Sequence, residues 1–568
     1  MNKTGKRWIC FLALLMCLCL LLTSCAPAPQ QPAGNSEAQV ENLAKLCKVW
    51  GYVKYTHPVF LLGEKDWDEE LLKLIPAVSE AYSDEVNRIL HEWVVSLGEV
   101  EDHAGKEALE WDEDALIVKS DTSWILDKNY LGTELTADLA QLIPVPDLDR
   151  SRAPVKFGTN GAPDFSNEPV DETPNYRDAN FRLLGLFRLW NAIKYYFPHL
   201  DLLGEEWDEL LTTYIPLMLE GKDKSSFELA LSAMAAQLHD GHAALLNPES
   251  LLEEFGMYAI PVDLIQAEGK LVVQQAYGED NPLQPGDVVL ALDGVPMEQL
   301  IEQRKNYLSV PNDEKIISSI APFLLRSRDS YMQLTVLRDG EEKTLTIEGV
   351  IGAFNLSKQE EAVCKILEGN IGLVNPSAPQ EKNIESELKQ LRNTKGLVID
   401  FRQYPQQDWS KLLPYLVKEK SQVLKVGFPV QSCPGTMYLE EYSLGGENQE
   451  NVCFYDQPVV LLMNERTVSA SELAVMVLRK GEKVTVLGSN SLGANGNIAY
   501  LPLPNGNALS FTTIGVYTPE MGQTQRVGLA PDIEVYPTIE GIKQGRDELM
   551  EAAIAYIQEQ SQSATAAE

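Results

Sequence analysis

The sequence predicts a multidomain α+β protein, and three observations carry that reading. A chain of 568 residues is too long for one hydrophobic core, so three or four domains are expected. An apolar run from Pro458 to Met463 is followed by a polar turn and then a helical pattern from Ser469 to Arg479, a strand feeding a helix. The first half also repeats itself. Leu46, Trp50, Lys54, Tyr55, Pro58, Trp67, Asp68, Glu69, Leu71, Ile75 and Pro76 recur as Leu186, Trp190, Lys194, Tyr195, Pro198, Trp207, Asp208, Glu209, Leu211, Ile215 and Pro216, always 140 positions on. Apolar residues in 43–55 and 183–196 are spaced as in helices, so each copy is expected to be a small helical bundle.

Along the chain, residues 1–24 join a basic start (Lys3, Lys6, Arg7) to an apolar run from Trp8 to Leu22. That run is too short for a membrane span and reads as an export signal. Its ending, Leu22-Thr23-Ser24-Cys25, looks like a bacterial lipobox, which implies cleavage before Cys25 and lipid attachment to its sulfur. The alternative is ordinary secretory cleavage near Ala26 to Ala28. Residues 25–38, rich in Pro, Ala and Gln, read as a flexible linker.

The helical units are placed at 39–150 and 170–250. They end alike, in Glu101-Asp102-His103 and in His239-Asp240-Gly241-His242. At 255–350, Leu283 to Met297 alternates apolar and polar residues with turns at Gly286 and Gly294, the pattern of a small sheet. The last domain is placed at 355–560.

Composition narrows the function. A net charge of −36 argues against nucleic acid as a partner and against docking on anionic lipid head groups. Cys47, Cys364, Cys433 and Cys453 lack metal-ligand spacing, so no metal is expected. Cys433 and Cys453 could form a disulfide in an exported protein, or remain buried thiols.

The segment 458–479 carries the chemistry. Ser469 falls where the helix begins, so its hydroxyl can project from the turn while the N–H of Ala470, at the positive helix end, faces a developing oxyanion. The bland alternative is a capping box, with Glu472 three residues after Ser469.

Ser469-Ala470-Ser471-Glu472 is followed by Val484 to Gly493, Leu501 to Gly506, Gly528 to Val535 and Pro537 to Asp547, and preceded by Gly396-Leu-Val-Ile-Asp-Phe-Arg-Gln-Tyr-Pro405. In this order the motifs closely resemble the C-terminal-processing and tricorn-type serine peptidases, over most of residues 180–560. The resemblance implies a crotonase-like α/β protease core, a PDZ-like β-rich domain at 255–350 behind the duplicated helical units, a polypeptide substrate and no organic cofactor. It implies Ser469 as nucleophile and, by the tricorn-type pattern of a histidine ahead of the PDZ-like module, His242 as general base, with His103 a vestigial copy or a structural residue. Ala470 and Gln406 would supply the oxyanion N–H groups, and Asp400 and Arg402 would pair at the strand end. A PDZ-like module can add an extended peptide to a sheet edge or merely brace the core.

The sequence also departs from that family. Where the processing branch places its proton-accepting lysine stands Ala494, and Asn495 has no useful basicity. The tricorn branch backs its histidine with a serine and a distant glutamate. Here those places hold Gly241 and the run Gly522-Gln-Thr-Gln-Arg526, so Asp240 or Glu472 is expected to orient the imidazole. Gln406 and Gln407 stand where glycines are usual. The expected function is a lipid-anchored extracytoplasmic serine endopeptidase acting by acyl transfer; the alternative is a catalytically silent peptide-binding protein of the same architecture. The sequence does not indicate an oligomeric state.

Overall fold

Alternation of side chains builds the core sheet of the computed structural model. Its strands lie in the order Cys364–Leu367, Ile371–Val374, Leu397–Asp400, Val459–Met463, Val484–Gly488 and Ile533–Glu534; the first pair is antiparallel and the rest parallel. Along Val459–Met463 every residue is buried, as a strand covered on both faces requires. Val459, Leu461 and Met463 pack with the helix Ala470–Leu478, and Val460 and Leu462 with Leu549, Ala553 and Ile557 of the C-terminal helix Glu548–Ala567. The structure describes residues 36–100, 115–142, 148–204, 206–352, 362–379, 384–446 and 455–567. Cys25 with the signal segment 1–24, the linker through residue 35, His103 and Cys453 lie outside the described residues. Cys433 carries a free thiol 3.3 Å from the Thr436 hydroxyl.

Two antiparallel sheets complete the core. One orders Leu116–Val118, Thr436–Leu444, Ser421–Pro429 and Gly515–Tyr517; the other joins the hairpin Ile498–Pro502 and Ala508–Thr512 to Ala244–Leu245. The intervening domain has strands Glu341–Glu348, Tyr331–Arg338, Val288–Leu292, Lys270–Ala276 and Val262–Ala267 in that order, with helices Met297–Lys305 and Ile316–Leu324. Gly286 and Gly294 turn at φ 90° and 79°, where a side chain would be strained.

The two helical copies pack on each other like an isologous dimer within one chain. In the first, Glu37–Thr56 packs on Trp67–Glu80, and the Trp50 indole N–H donates to the Trp67 carbonyl at 2.9 Å. In the second, Ala179–Tyr196 packs on Glu206–Glu220, and Trp190 donates to the Trp207 carbonyl at 3.0 Å. Between them, equivalent residues meet: the Tyr55 and Tyr195 rings lie 5.6 Å apart. Ion pairs cross in matching pairs, Lys48 with Asp208 at 2.9 Å and Arg188 with Asp68. Gly51 leaves room for its counterpart, since a Cβ there would fall 1.7 Å from Asn191 Oδ1.

Glu168, fully buried, holds this interface. It accepts from Lys54 at 2.6 Å and from the Trp67 indole at 3.0 Å, and faces Arg188 Nε at 3.3 Å. Neutralising it leaves the buried Lys54 without its ion-pair partner and Arg188 with Asp68 alone. Glu168→Gln is therefore expected to cost about 3–5 kcal/mol of stability in urea denaturation followed by tryptophan fluorescence.

Candidate active site

The turn before the helix Ala470–Leu478 is fixed by its own side chains. The Asn464 N–H donates to Thr467 Oγ1 at 3.0 Å, and the Thr467 hydroxyl donates to the Phe401 carbonyl at 3.0 Å. Ser469 follows at φ 55° and ψ −117°, a strained conformation for a residue with a side chain. Its N–H donates to the Ala494 carbonyl at 2.9 Å and to Glu472 Oε2 at 3.1 Å.

Glu472 clamps this turn. Its fully buried carboxylate also accepts from Ser491 Oγ at 2.5 Å and from the N–H groups of Gly493 at 2.9 Å and Ala494 at 3.0 Å. Burial pushes its pKa up, and these bonds oppose the shift. The expectation that Glu472 orients the imidazole is corrected: its oxygens are bonded to the turn and to the 491–494 loop.

Strand register delivers the histidine's partners. Ser510 pairs with Ala244 in antiparallel register, which sets Thr512 opposite His242. His242 Nδ1 lies 2.9 Å from Thr512 Oγ1, whose hydroxyl donates to Asp240 Oδ1 at 2.9 Å. A carboxylate only accepts, so the Thr512 proton is directed to Asp240 and the hydroxyl oxygen accepts from Nδ1–H. This assigns the proton to Nδ1 and leaves the Nε2 lone pair free to act as a base. Asp240, fully buried, also accepts from the N–H groups of His242 at 3.0 Å and Thr512 at 2.8 Å, and from Gln525 Nε2 at 3.0 Å. Its Oδ1 stands 3.8 Å from His242 Nδ1. Burial lowers the His242 pKa, with the Asp240 charge opposing.

His242 and Ser469 line one cleft of about 660 Å³, together with Ser318 and Ser319 of the helix Ile316–Leu324. Ser469 also borders a second pocket of about 340 Å³, lined by Ala470, Leu424, Val426, Phe428 and Val516 among others. Tyr404 lines both.

The expected second oxyanion donor is also corrected. The N–H groups of Gln406 and Gln407 both donate to the Pro376 carbonyl at 2.9 Å, so Gln406 is engaged elsewhere. Of the two anticipated donors, the N–H of Ala470 remains, at the first position of its helix. Asp400 and Arg402 are structural: Arg402 is bidentate to Asp400 at 2.9 and 2.7 Å and reaches both oxygens of Asp547 at 2.8 Å, tying the strand end to the C-terminal helix. Ala494 is fully buried, and a Cβ on Gly241 would meet its methyl at 2.7 Å. Gly241 and Ala494 thus fit each other, and Ala494→Lys is expected to lower the melting temperature rather than create a Ser-Lys pair, because the added side chain is driven into Gly241.

Thr512 and Gln525 escaped the sequence reading. No local motif marks Thr512, which lies 270 positions from the histidine it meets.

Residues 369–535 match Peptidase family S41, and residues 256–354 match a PDZ domain. The chain is 24% identical over 364 residues to the carboxy-terminal-processing protease of Bartonella bacilliformis, spanning 60% of this chain and 75% of that one. It is 21% identical over 365 residues to the carboxyl-terminal-processing protease of Synechocystis, spanning 61% and 79%. The crystal structure of a CPAF mutant superposes with a TM-score of 0.52 at 12% identity, covering 67% of this chain and 98% of that one, a likeness of fold.

Proposed function

We propose that the chain, whose residues 369–535 match Peptidase family S41, is a serine-type peptidase of the C-terminal-processing, or tail-specific, family that cleaves extracytoplasmic polypeptides through Ser469 with His242 as general base. The Ser469 hydroxyl attacks the scissile carbonyl and passes its proton to His242 Nε2. The imidazolium then donates from Nδ1 to Thr512, and the Asp240 charge behind Thr512 stabilises it. The oxyanion accepts from the Ala470 N–H. His242 returns the proton to the leaving amine, and water repeats the sequence on the acyl-enzyme. Attachment through a lipid on Cys25 would hold the enzyme at the outer face of a bacterial membrane. Among the described residues, no helix is long and apolar enough to cross a membrane.

The observation that carries this reading is the buried Asp240–Thr512 pair behind His242, which lines the same cleft as Ser469. It is tested by incubating the chain without residues 1–24 with an unfolded polypeptide and identifying products by mass spectrometry beside Ser469→Ala. Cleavage by the wild type alone is expected; none by either contradicts the reading. Thr512→Val should lower kcat by about 10–100-fold with little change in KM, and Thr512→Ser should restore it, because only the hydroxyl relays Nδ1 to Asp240.

One observation favours the second reading, a silent peptide-binding protein: the Gln406 N–H is turned to Pro376. Loss of one oxyanion donor costs about 10²–10³ in kcat, which slows rather than abolishes acyl transfer.

A further inference from the structure

The hairpin Lys156–Phe157 and Pro163–Asp164 belongs to the connector between the two helical copies, outside the stretches that match the peptidase family and the PDZ domain. Its tip nevertheless reaches the protease core. Asn160 lines the apolar pocket beside Ser469, and Ala162 is buried in the same cluster as Leu424 and Val426 of that pocket. Gly161 sits at φ 75°, and a Cβ there would fall 2.8 Å from Phe428 Cδ1, so the tip is packed directly on the pocket wall. The tip is also internally braced. The Gly158 N–H donates to the Ala162 carbonyl at 2.9 Å, the Gly161 N–H to the Gly158 carbonyl at 3.0 Å, and the Ala162 N–H to Asn160 Oδ1 at 3.2 Å.

The pocket has a defined place in the reaction. His242 lines the larger cleft at Ser469 and is absent from the lining of this pocket. Because the base must reach the leaving amine, the leaving segment belongs on the His242 side, and the pocket receives the side chain of the residue whose carbonyl is attacked. Its lining is mostly aliphatic and aromatic, with Leu424, Val426, Phe428, Trp409 and Ile514 among it, which suits an apolar side chain; Asn160, exposed, is one of its few polar residues.

We propose that the 156–164 hairpin is a specificity element, with Asn160 at the pocket rim setting how large an apolar side chain is accepted before the scissile bond. The inference rests on the serine-peptidase reading of Ser469. It also gives the connector of the duplicated units a direct part in substrate selection.

The test measures kcat/KM on peptides differing only in Ala, Leu or Phe before the cleaved bond, for the wild type, Asn160→Trp, Asn160→Ala and Thr159→Trp. Thr159 is exposed on the same turn and is not part of the pocket lining, so it controls for bulk added to the tip. Asn160→Trp is expected to lower the Phe-to-Ala ratio at least about tenfold, within the range a pocket discriminates by size. Asn160→Ala should hold or raise that ratio, and Thr159→Trp should leave it unchanged. Melting temperatures near the wild-type value keep a folding defect from imitating the effect. An unchanged ratio in Asn160→Trp, or the same change in Thr159→Trp, overturns the inference. Wild-type labelling of Ser469 by a fluorophosphonate, run in parallel, separates the two levels: labelling with an unchanged ratio overturns the hairpin's role alone, and absence of labelling overturns the reading beneath it.

Discussion

Replacing His242 by alanine is expected to lower kcat/KM for peptide hydrolysis by about 10⁴-fold or more, because His242 is the one histidine, lysine or carboxylate among the described residues lining the Ser469 cleft. His239, three residues away, supplies the contrast. Its Nδ1 lies 3.0 Å from the Val310 carbonyl, an inter-domain contact, so His239→Ala should leave turnover within a few-fold of wild type. The pH profile carries the same assignment. The base must be neutral to accept a proton, and burial lowers the His242 pKa, so the acid limb of kcat/KM should fall below the ordinary imidazole value of 6.5. Asp240 is the influence that raises this pKa. Removing its charge in Asp240→Asn should therefore move the acid limb lower still while reducing the rate, since the imidazolium loses its stabilising carboxylate.

Glu472→Gln should damage stability and activity together. Each carboxylate oxygen receives two donors, Ser491 Oγ and the Gly493 N–H on one, the Ala494 and Ser469 N–H groups on the other. Ser491 cannot reverse its role without cost, because its oxygen already accepts from the Leu529 N–H at 2.7 Å. An amide places its NH₂ against donors whichever way it turns. The expected loss is about 2–4 kcal/mol by chemical denaturation, from unpaired buried donors and a lost charge-assisted bond. Ser469 is held at positive φ by this clamp, so labelling of its hydroxyl should slow by about 10²-fold even in the folded fraction.

Much of this architecture is legible in local sequence. The strand–turn–helix at 458–479 is visible because a buried parallel strand is continuously apolar and a helix start is polar. The duplication is visible because both copies must preserve the same tryptophan-to-carbonyl bond, between residues 50 and 67 and again between 190 and 207. What escapes is long-range register. Thr512 reaches His242 only because Ala508–Thr512 pairs with Ala244–Leu245, a choice between segments far apart in the chain. Backbone direction escapes too: nothing in Gln406-Gln407 reveals that their N–H groups turn to Pro376. Glu472 was legible as a capping residue, but the loop at 491–494 that completes its clamp was not.

The most direct measurement is covalent labelling of the chain lacking residues 1–24 by a fluorophosphonate, read by intact mass and peptide mapping, beside Ser469→Ala and His242→Ala. An activated serine with His242 as its base predicts one adduct on Ser469 in the wild type and none in either variant. A folded wild type that takes no adduct, or an adduct that persists at Ser469 in His242→Ala at an undiminished rate, would contradict it.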